Sequence, residues 1–91
     1  MKFIYKKDFL KAFESYSIFL QETILKSVEE IKEYSLKQIA SYGLRVKKIG
    51  PHTFEARVTD KIRVVWLKTD EIVSFALLGS HDDVRKFIKL I

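Results

Sequence analysis

The composition of the chain changes once, near Gly43, and this change limits the folds that the chain can adopt. Before this point the sequence is rich in Glu and Lys and contains neither Pro nor Gly, which favours helices. After it Val, Ile, Phe and Arg dominate, and Gly50-Pro51 and Gly79 mark turns, which favours strands. Such a chain needs helices and a sheet that bury each other's apolar faces.

The first half predicts a short strand over residues 2–6 and a helical hairpin. One helix is expected over 9–14 with Asp8 as its capping residue, and a longer one over 18–41 with Ser17 as its cap. The longer helix carries an apolar stripe at helical spacing, formed by Leu20, Ile24, Val28 and Ile31.

Two segments of the second half alternate between apolar and polar residues, as half-buried strands do. They cover residues 53–58 and 62–68 and are joined by the turn Thr59-Asp60-Lys61. If Arg57 lies opposite Arg63, the apolar residues of both strands share one face, whereas a shift by one residue would mix the faces. We therefore predict that register.

The end of the chain predicts a third strand and a short helix. Residues 72–78 are almost entirely apolar, which indicates a central strand covered on both faces. After Gly79, Ser80 and Asp83 have the spacing of a capping box. The helix that follows carries apolar residues at helical spacing, namely Val84, Phe87, Ile88 and Ile91.

These elements predict an α+β fold in one domain that spans residues 1–91. The N-terminal helical hairpin packs on one face of a small antiparallel sheet, which consists of the short N-terminal strand and a three-stranded meander. A short helix closes the C-terminus. A length of 91 residues, 47 % of them apolar, is enough for one core.

Charge and cysteine content narrow the classes of function. The net charge of +5 suits a polyanion such as nucleic acid or an acidic protein, but it also serves solubility alone. The sequence has no cysteine and two histidines, so thiolate chemistry is excluded and neither a metal nor a cofactor is expected. No apolar stretch approaches the roughly 18 residues of a membrane helix, and the N-terminal residues do not resemble a secretory signal. We therefore expect a cytoplasmic protein.

The predicted register places Arg57 and Arg63 side by side on the sheet face away from the Phe54 and Trp66 core. Two adjacent guanidinium groups repel each other unless an anion lies between them. Glu55 supplies that anion in a purely structural interpretation. A phosphate supplies it in a functional one, because guanidinium forks match phosphate oxygens. The residues alone leave both interpretations open.

His81 and a basic segment are further candidates. His81 follows the third strand at the start of the last helix, where it can act as a general acid or base or serve as an ordinary surface histidine. Arg45, Lys47 and Lys48 follow the long helix and can contact a nucleic-acid backbone or form a solvated loop. His52 is expected in a loop.

The order of these elements and four sequence segments resemble the RelE/ParE toxin superfamily. The rest of the chain agrees with that family in layout. The four segments are a basic lead into the sheet, an aromatic-led strand with Arg near its end, the return strand of the hairpin and a strand-to-helix connection: Gly43–Ile49, Phe54–Val58, Asp60–Trp66 and Leu77–Val84.

The resemblance implies a toxin of a type II toxin–antitoxin system. RelE-like members cleave messenger RNA in the ribosomal A site without a metal, through attack of the ribose 2′-hydroxyl on the adjacent phosphate. The implied partners are the ribosome with its mRNA and an acidic, partly disordered antitoxin. By this resemblance the catalytic residues are Arg57, Arg63 and His81, and the RNA-binding residues are Arg45, Lys47 and Lys48.

Two positions depart from the pattern of active relatives and leave other functions open. Glu55 stands where some relatives carry a basic residue, and Phe87 stands where some carry a tyrosine. One alternative is a binding module without nuclease activity on the same fold, such as a ParE-like inhibitor of DNA gyrase. The other is a degenerate relative without toxicity.

Overall fold

The computed structural model describes residues 1–37 and 44–90. The described elements follow the predicted α+β layout of a strand, a helical hairpin, a sheet and a closing helix. In chain order they are β1 Lys2–Tyr5, α1 Lys7–Ser15, α2 Ile18–Lys37, β2 Val46–Gly50, β3 Thr53–Arg57, β4 Arg63–Thr69, β5 Ile72–Gly79 and α3 His81–Ile88.

The described strands form one sheet in the order β1-β5-β4-β3-β2. Strands β2 to β5 are an antiparallel meander, and β1 pairs with β5 in parallel, so the sheet is mixed. The meander has one strand more than predicted, because part of the basic segment forms the edge strand β2. Strand β5 lies in the interior of the sheet as predicted. The middle strand, however, is β4, which carries the consecutive buried residues Val64, Val65 and Trp66.

The register between β3 and β4 is the predicted one. Arg57 lies opposite Arg63, and Phe54 lies opposite Trp66. The rings of Phe54 and Trp66 stack with their centroids 5.8 Å apart. Since neighbouring residues of a strand point to opposite faces, the arginine pair and this aromatic pair lie on different sides of the sheet.

The main core lies between the helical hairpin and the sheet. Helix α2 contributes three residues of the predicted stripe, Ile24, Val28 and Ile31, and α1 contributes Phe9. Leu20, the fourth residue of the stripe, is partly buried at the margin. The strands complete this core with buried side chains that include Ala56, Val64, Trp66, Val73 and Phe75.

Helix α1 begins earlier than predicted, and the prediction that Asp8 caps it is wrong. Lys6 occupies the capping position without a side-chain hydrogen bond, and its carbonyl accepts the N–H of Leu10 at 3.1 Å. The N–H of Lys6 donates to the carbonyl of Phe75, so β1 leads directly into the helix. Asp8 therefore falls within the first turn, where its negative charge still favours the helix dipole.

Helix α2 begins at Ile18 as predicted, and Ser17 caps it. The Oγ of Ser17 accepts the N–H of Leu20 at 3.3 Å. The structure describes the helix as far as Lys37, and the predicted end at residue 41 lies outside the described residues. No helix within the described ranges combines the length and the apolar content that crossing a membrane requires.

Candidate functional site

Helix α3 packs on the sheet face opposite to the helical hairpin. Its Val84 is buried, and so is Val65 of β4, yet neither belongs to the main core. Val65 lies opposite Glu55, and Arg63 lies opposite Arg57 two residues along β4. These four strand residues therefore share the face on which α3 lies.

The predicted capping box sets the start of α3. The Oγ of Ser80 accepts the N–H of Asp83 at 3.1 Å, and the carboxylate of Asp83 accepts the N–H of Ser80 at 2.9 Å. The hydrogen bond from the Ser80 backbone, together with a second from its hydroxyl group, lowers the pKa of Asp83. Gly79 leaves room for this arrangement, because a Cβ at that position would lie 2.5 Å from Oδ2 of Asp83. His81 consequently becomes the first residue of the helix.

A cavity of about 280 Å³ is formed by β2, β3, β4 and α3. Its lining combines basic and apolar residues, and a concave surface lined with positive charge attracts an anion. Among the described residues the basic lining consists of Arg45, Lys47, Arg57, Arg63 and Arg85. The lining also includes the apolar residues Ile49, Val84 and Ile88, together with Glu55 and His81. Val46 borders the cavity too, but the register puts its side chain on the core face.

The cavity brings together five of the six site residues that the sequence predicted. Lys48 is the exception, because it pairs with Phe54 and so belongs to the face that carries the helical hairpin. Lys47 pairs with Glu55 and belongs to the cavity face. The predicted residues that line the cavity are Arg45, Lys47, Arg57, Arg63 and His81.

Glu55 forms an ion pair with Arg63 and does not bridge the two arginines. Nη1 of Arg63 lies 3.3 Å from Oε1 of Glu55, and their side chains are 15 % and 10 % exposed. Nε of Arg63 is buried and has no hydrogen-bond partner among the described residues. Arg57 is exposed, and within the described part of the chain its side chain has neither a hydrogen bond nor an ion pair. Among the described residues, the side chain of Arg57 is thus unpaired and that of Arg63 only partly paired.

Among the cavity residues that sequence reasoning did not assign to the site are Arg85 and Ile88. They follow His81 by four and seven positions, so helical spacing from His81 is the signal that identifies them. Phe87, which departs from the pattern of active relatives, lies on another side of α3. It lines a separate cavity that also contains Leu90.

The described part of the chain provides no group of three or more His, Asp or Glu side chains that could hold a metal ion. The cavity lining presents guanidinium, ammonium, carboxylate and imidazole groups. Together these groups can bind an oxyanion and transfer a proton.

The fold is shared with solved structures of toxins. A copper-bound mutant toxin from Helicobacter pylori matches with a TM-score of 0.67 at 18 % identity, over 92 % of this chain and 98 % of that chain. The YoeB/ParE toxin from Agrobacterium tumefaciens matches with a TM-score of 0.59 at 17 % identity, over 89 % of this chain and 99 % of that chain. No protein-family model and no curated protein matches the sequence. The chain therefore has the same fold as these two toxins.

Proposed function

We propose that this protein is the toxin of a type II toxin–antitoxin system and a ribosome-dependent endoribonuclease that cleaves mRNA. One observation carries the proposal: Arg57, Arg63 and His81 line the same basic cavity. The toxin fold of the structural neighbours supports it. Since mRNA is translated in the cytoplasm, we place the activity there.

The two arginines bind the phosphodiester that is cleaved. Arg57 is exposed at the end of β3, and Arg63 lies directly opposite it across the strand pair. Guanidinium groups on both sides neutralise the charge that grows on the phosphate oxygens as phosphorus becomes pentavalent. Loss of one such donor typically slows a reaction by a factor of about 10² to 10³.

His81 transfers a proton in this reaction. The ribose 2′-oxygen forms a bond to phosphorus, and the bond between phosphorus and the 5′-oxygen breaks, which leaves a cyclic phosphate and a 5′-hydroxyl. The 2′-hydroxyl must lose a proton and the 5′-oxygen must gain one. Histidine is the side chain that most often transfers protons in catalysis, and His81 lines the cavity from the first residue of α3. We assign to it the proton that the 5′-oxygen receives, while water accepts the other.

The remaining basic residues of the cavity hold the RNA on either side of the reacting phosphate. Arg45 and Lys47 are exposed beside and within the edge strand β2, and Arg85 is exposed on α3. Contacts of this kind with phosphates supply most of the affinity for a nucleic acid and little sequence preference. Lys48, on the other face of the sheet, is not assigned to this role.

A cognate antitoxin is the second partner of the proposed toxin. An acidic, partly disordered segment that folds over the cavity would neutralise its basic residues and exclude RNA. We expect this chain to co-purify with the product of a neighbouring gene when both are expressed, and to separate from it as salt is raised. Recovery of this chain alone would contradict this part of the proposal.

The nuclease is tested by mapping the 5′ ends of an mRNA in a translating extract to which the purified protein is added. Arg57→Ala is the most informative variant, because Arg57 has no partner within the described residues whose loss would disturb the fold. Lys11→Ala is its control, since it removes the same charge from an exposed position on α1.

We expect new 5′ ends at ribosome-occupied codons with the wild type and with Lys11→Ala. About 100-fold fewer are expected with Arg57→Ala or His81→Ala. Intact mRNA with the wild type would contradict the proposal, and a DNA gyrase supercoiling assay would then test the binding-module alternative.

A further inference from the structure

Glu55 is a buried carboxylate inside a cavity whose other charged lining is basic. It is 7 % exposed and is the one buried acidic residue among those that the structure describes. Burial of a carboxylate is costly unless a cation compensates it. Phosphate binding by itself gives no reason for an acidic residue here, because the negative charge of Glu55 weakens the attraction of the cavity for RNA. Its position therefore indicates a role other than binding.

The partner of Glu55 is Arg63, although Arg57 is also near in the strand register. Glu55 lies directly opposite Val65, so Arg63 is the diagonal neighbour of Glu55 on the same face. Arg57 lies on the same strand as Glu55, two residues further along. The only contact in the described structure between the acid and either arginine joins Oε1 of Glu55 to Nη1 of Arg63 at 3.3 Å.

This single contact leaves Arg63 with unused donors. A guanidinium group has five N–H donors, and one of them points to Glu55. The separation of 3.3 Å exceeds the roughly 2.7 to 2.9 Å of a tight charge-assisted hydrogen bond. Nε of Arg63 is buried without a partner among the described residues. Glu55 therefore restrains Arg63 without saturating it.

Arg63 cannot leave Glu55 at little cost when an anion enters the cavity. If a phosphate drew Arg63 away, the carboxylate of Glu55 would remain buried without a counter-ion, which is strongly unfavourable. A phosphate that approaches from the side of Arg57 instead meets an Arg63 that is still paired with Glu55. The burial of Glu55 thus favours an arrangement in which Arg63 contacts both anions.

We propose that Glu55 is a positioning residue that holds Arg63 against the cavity wall, so that an RNA phosphodiester bridges Arg57 and Arg63 in one fixed geometry. The inference rests on the proposed function and adds to it the residue that orients one of its two phosphate-binding arginines. Glu55 does not contact the RNA in this arrangement. The negative charge of Glu55 weakens RNA binding, and its ion pair with Arg63 improves the placement of the Arg63 guanidinium group.

The first test is Glu55→Gln, which keeps the shape of the side chain and removes its charge. We expect the KM for mRNA to fall about two- to fivefold, because one negative charge leaves the cavity. The kcat should fall about tenfold, because Arg63 is no longer held in place. Glu55→Asp, which keeps the charge, should restore part of the kcat.

The matched control is Glu22→Gln, which removes the same charge from an exposed position on α2 and should change neither constant. A merely structural role for Glu55 would lower the thermal stability and the fraction of active protein without lowering KM. An unchanged or increased kcat in Glu55→Gln would overturn the inference.

A second measurement does not depend on cleavage. The Nε–H resonances of Arg57 and Arg63 are followed by NMR while a 2′-O-methyl RNA hexanucleotide, which cannot react through a 2′-hydroxyl, is added. We expect both resonances to shift in the wild type. In the complex the order parameter of the Arg63 Nε–H group should be lower for Glu55→Gln than for the wild type.

The NMR result separates the two proposals. Equal order of Arg63 in both proteins, or no shift of either resonance, would overturn the inference about Glu55. The expected NMR result together with intact mRNA in the translating extract would support the positioning role and overturn the nuclease proposal alone.

Discussion

Two arginines that face each other across one strand pair have different surroundings in this molecule. Arg57 is exposed, whereas Arg63 is largely buried and paired with Glu55. The strand order explains the difference. Arg63 pairs with Gly79 of β5 as well as with Arg57, so it has a strand on each side. The pairing of β2 with β3 reaches only to Ala56, which leaves Arg57 at an open corner of the sheet.

This difference predicts unequal effects on stability. Arg63→Ala should lower the free energy of unfolding by about 3 kcal/mol, because it leaves the carboxylate of Glu55 buried without a counter-ion. Arg57→Ala should change it by less than about 0.5 kcal/mol. The double variant Glu55→Gln/Arg63→Met, which removes both charges, should recover most of the loss. Urea unfolding measures all three, and a double variant no more stable than Arg63→Ala would contradict the argument.

Helix α3 is a short element whose position depends on its first turn. It has eight residues, too few for a stable isolated helix, and Val84 is its buried contact with the sheet. The capping box of Ser80 and Asp83 satisfies two backbone N–H donors at the point where β5 ends. Since His81, Arg85 and Ile88 reach the cavity from this helix, the cap also determines the shape of the site.

The cap predicts a loss of stability in acid. In the folded protein the hydrogen bonds from Ser80 lower the pKa of Asp83 below its value of about 3.9 in the unfolded chain. The ionised carboxylate of Asp83 therefore stabilises the fold fully at pH values above the pKa of the unfolded chain. This stabilisation is lost as the pH falls through the lowered pKa of the folded state. The stability difference between wild type and Asp83→Asn should be larger at pH 7 than at pH 3. Urea midpoints at both pH values check this, and an equal difference would contradict it.

Edge strand β2 presents two consecutive lysines to opposite faces of the sheet, which predicts unequal contributions to RNA binding. Lys47 pairs with Glu55 on the cavity face, and Lys48 pairs with Phe54 on the other face. Lys47→Ala should reduce the slope of log affinity against log salt by about 0.7, the value of one phosphate contact on a single strand. Lys48→Ala should leave the slope unchanged. Equal slopes in the two variants would show that β2 does not approach RNA from the cavity side.

For the whole molecule, the sheet separates structural support from the candidate site. The helical hairpin, formed by the first half of the chain, builds the main core on one face. The described lining of the cavity lies entirely between Arg45 and Ile88, in the second half. Because the core is completed on the far face, the basic side chains of the cavity do not compete with core packing. A charge substitution at an exposed cavity residue should therefore alter the affinity of the cavity for its ligand more than the free energy of unfolding.

Spacing along the chain predicted those features that depend on local pattern. The α+β layout, the pairing of β3 with β4 and the capping box of α3 are confirmed. The edge strand β2 was missed, because its basic residues do not alternate regularly with apolar ones. An edge strand that is exposed to water does not need such alternation. The parallel pairing of β1 with β5 was missed as well, since a four-residue strand carries no information about its partner.

By itself, the sequence determined that Arg57 and Arg63 are neighbours. A side-chain period of two and a three-residue turn allow a single register that keeps the apolar residues of both strands on one face. Only the tertiary structure decided which face of the sheet α3 packs against, which brings Arg85 and Ile88 to these arginines, and that Glu55 pairs with Arg63. These contacts depend on the sheet face against which α3 packs and on the charges that this packing shields from water. Both are set by the arrangement of distant segments in space, which residue spacing does not encode.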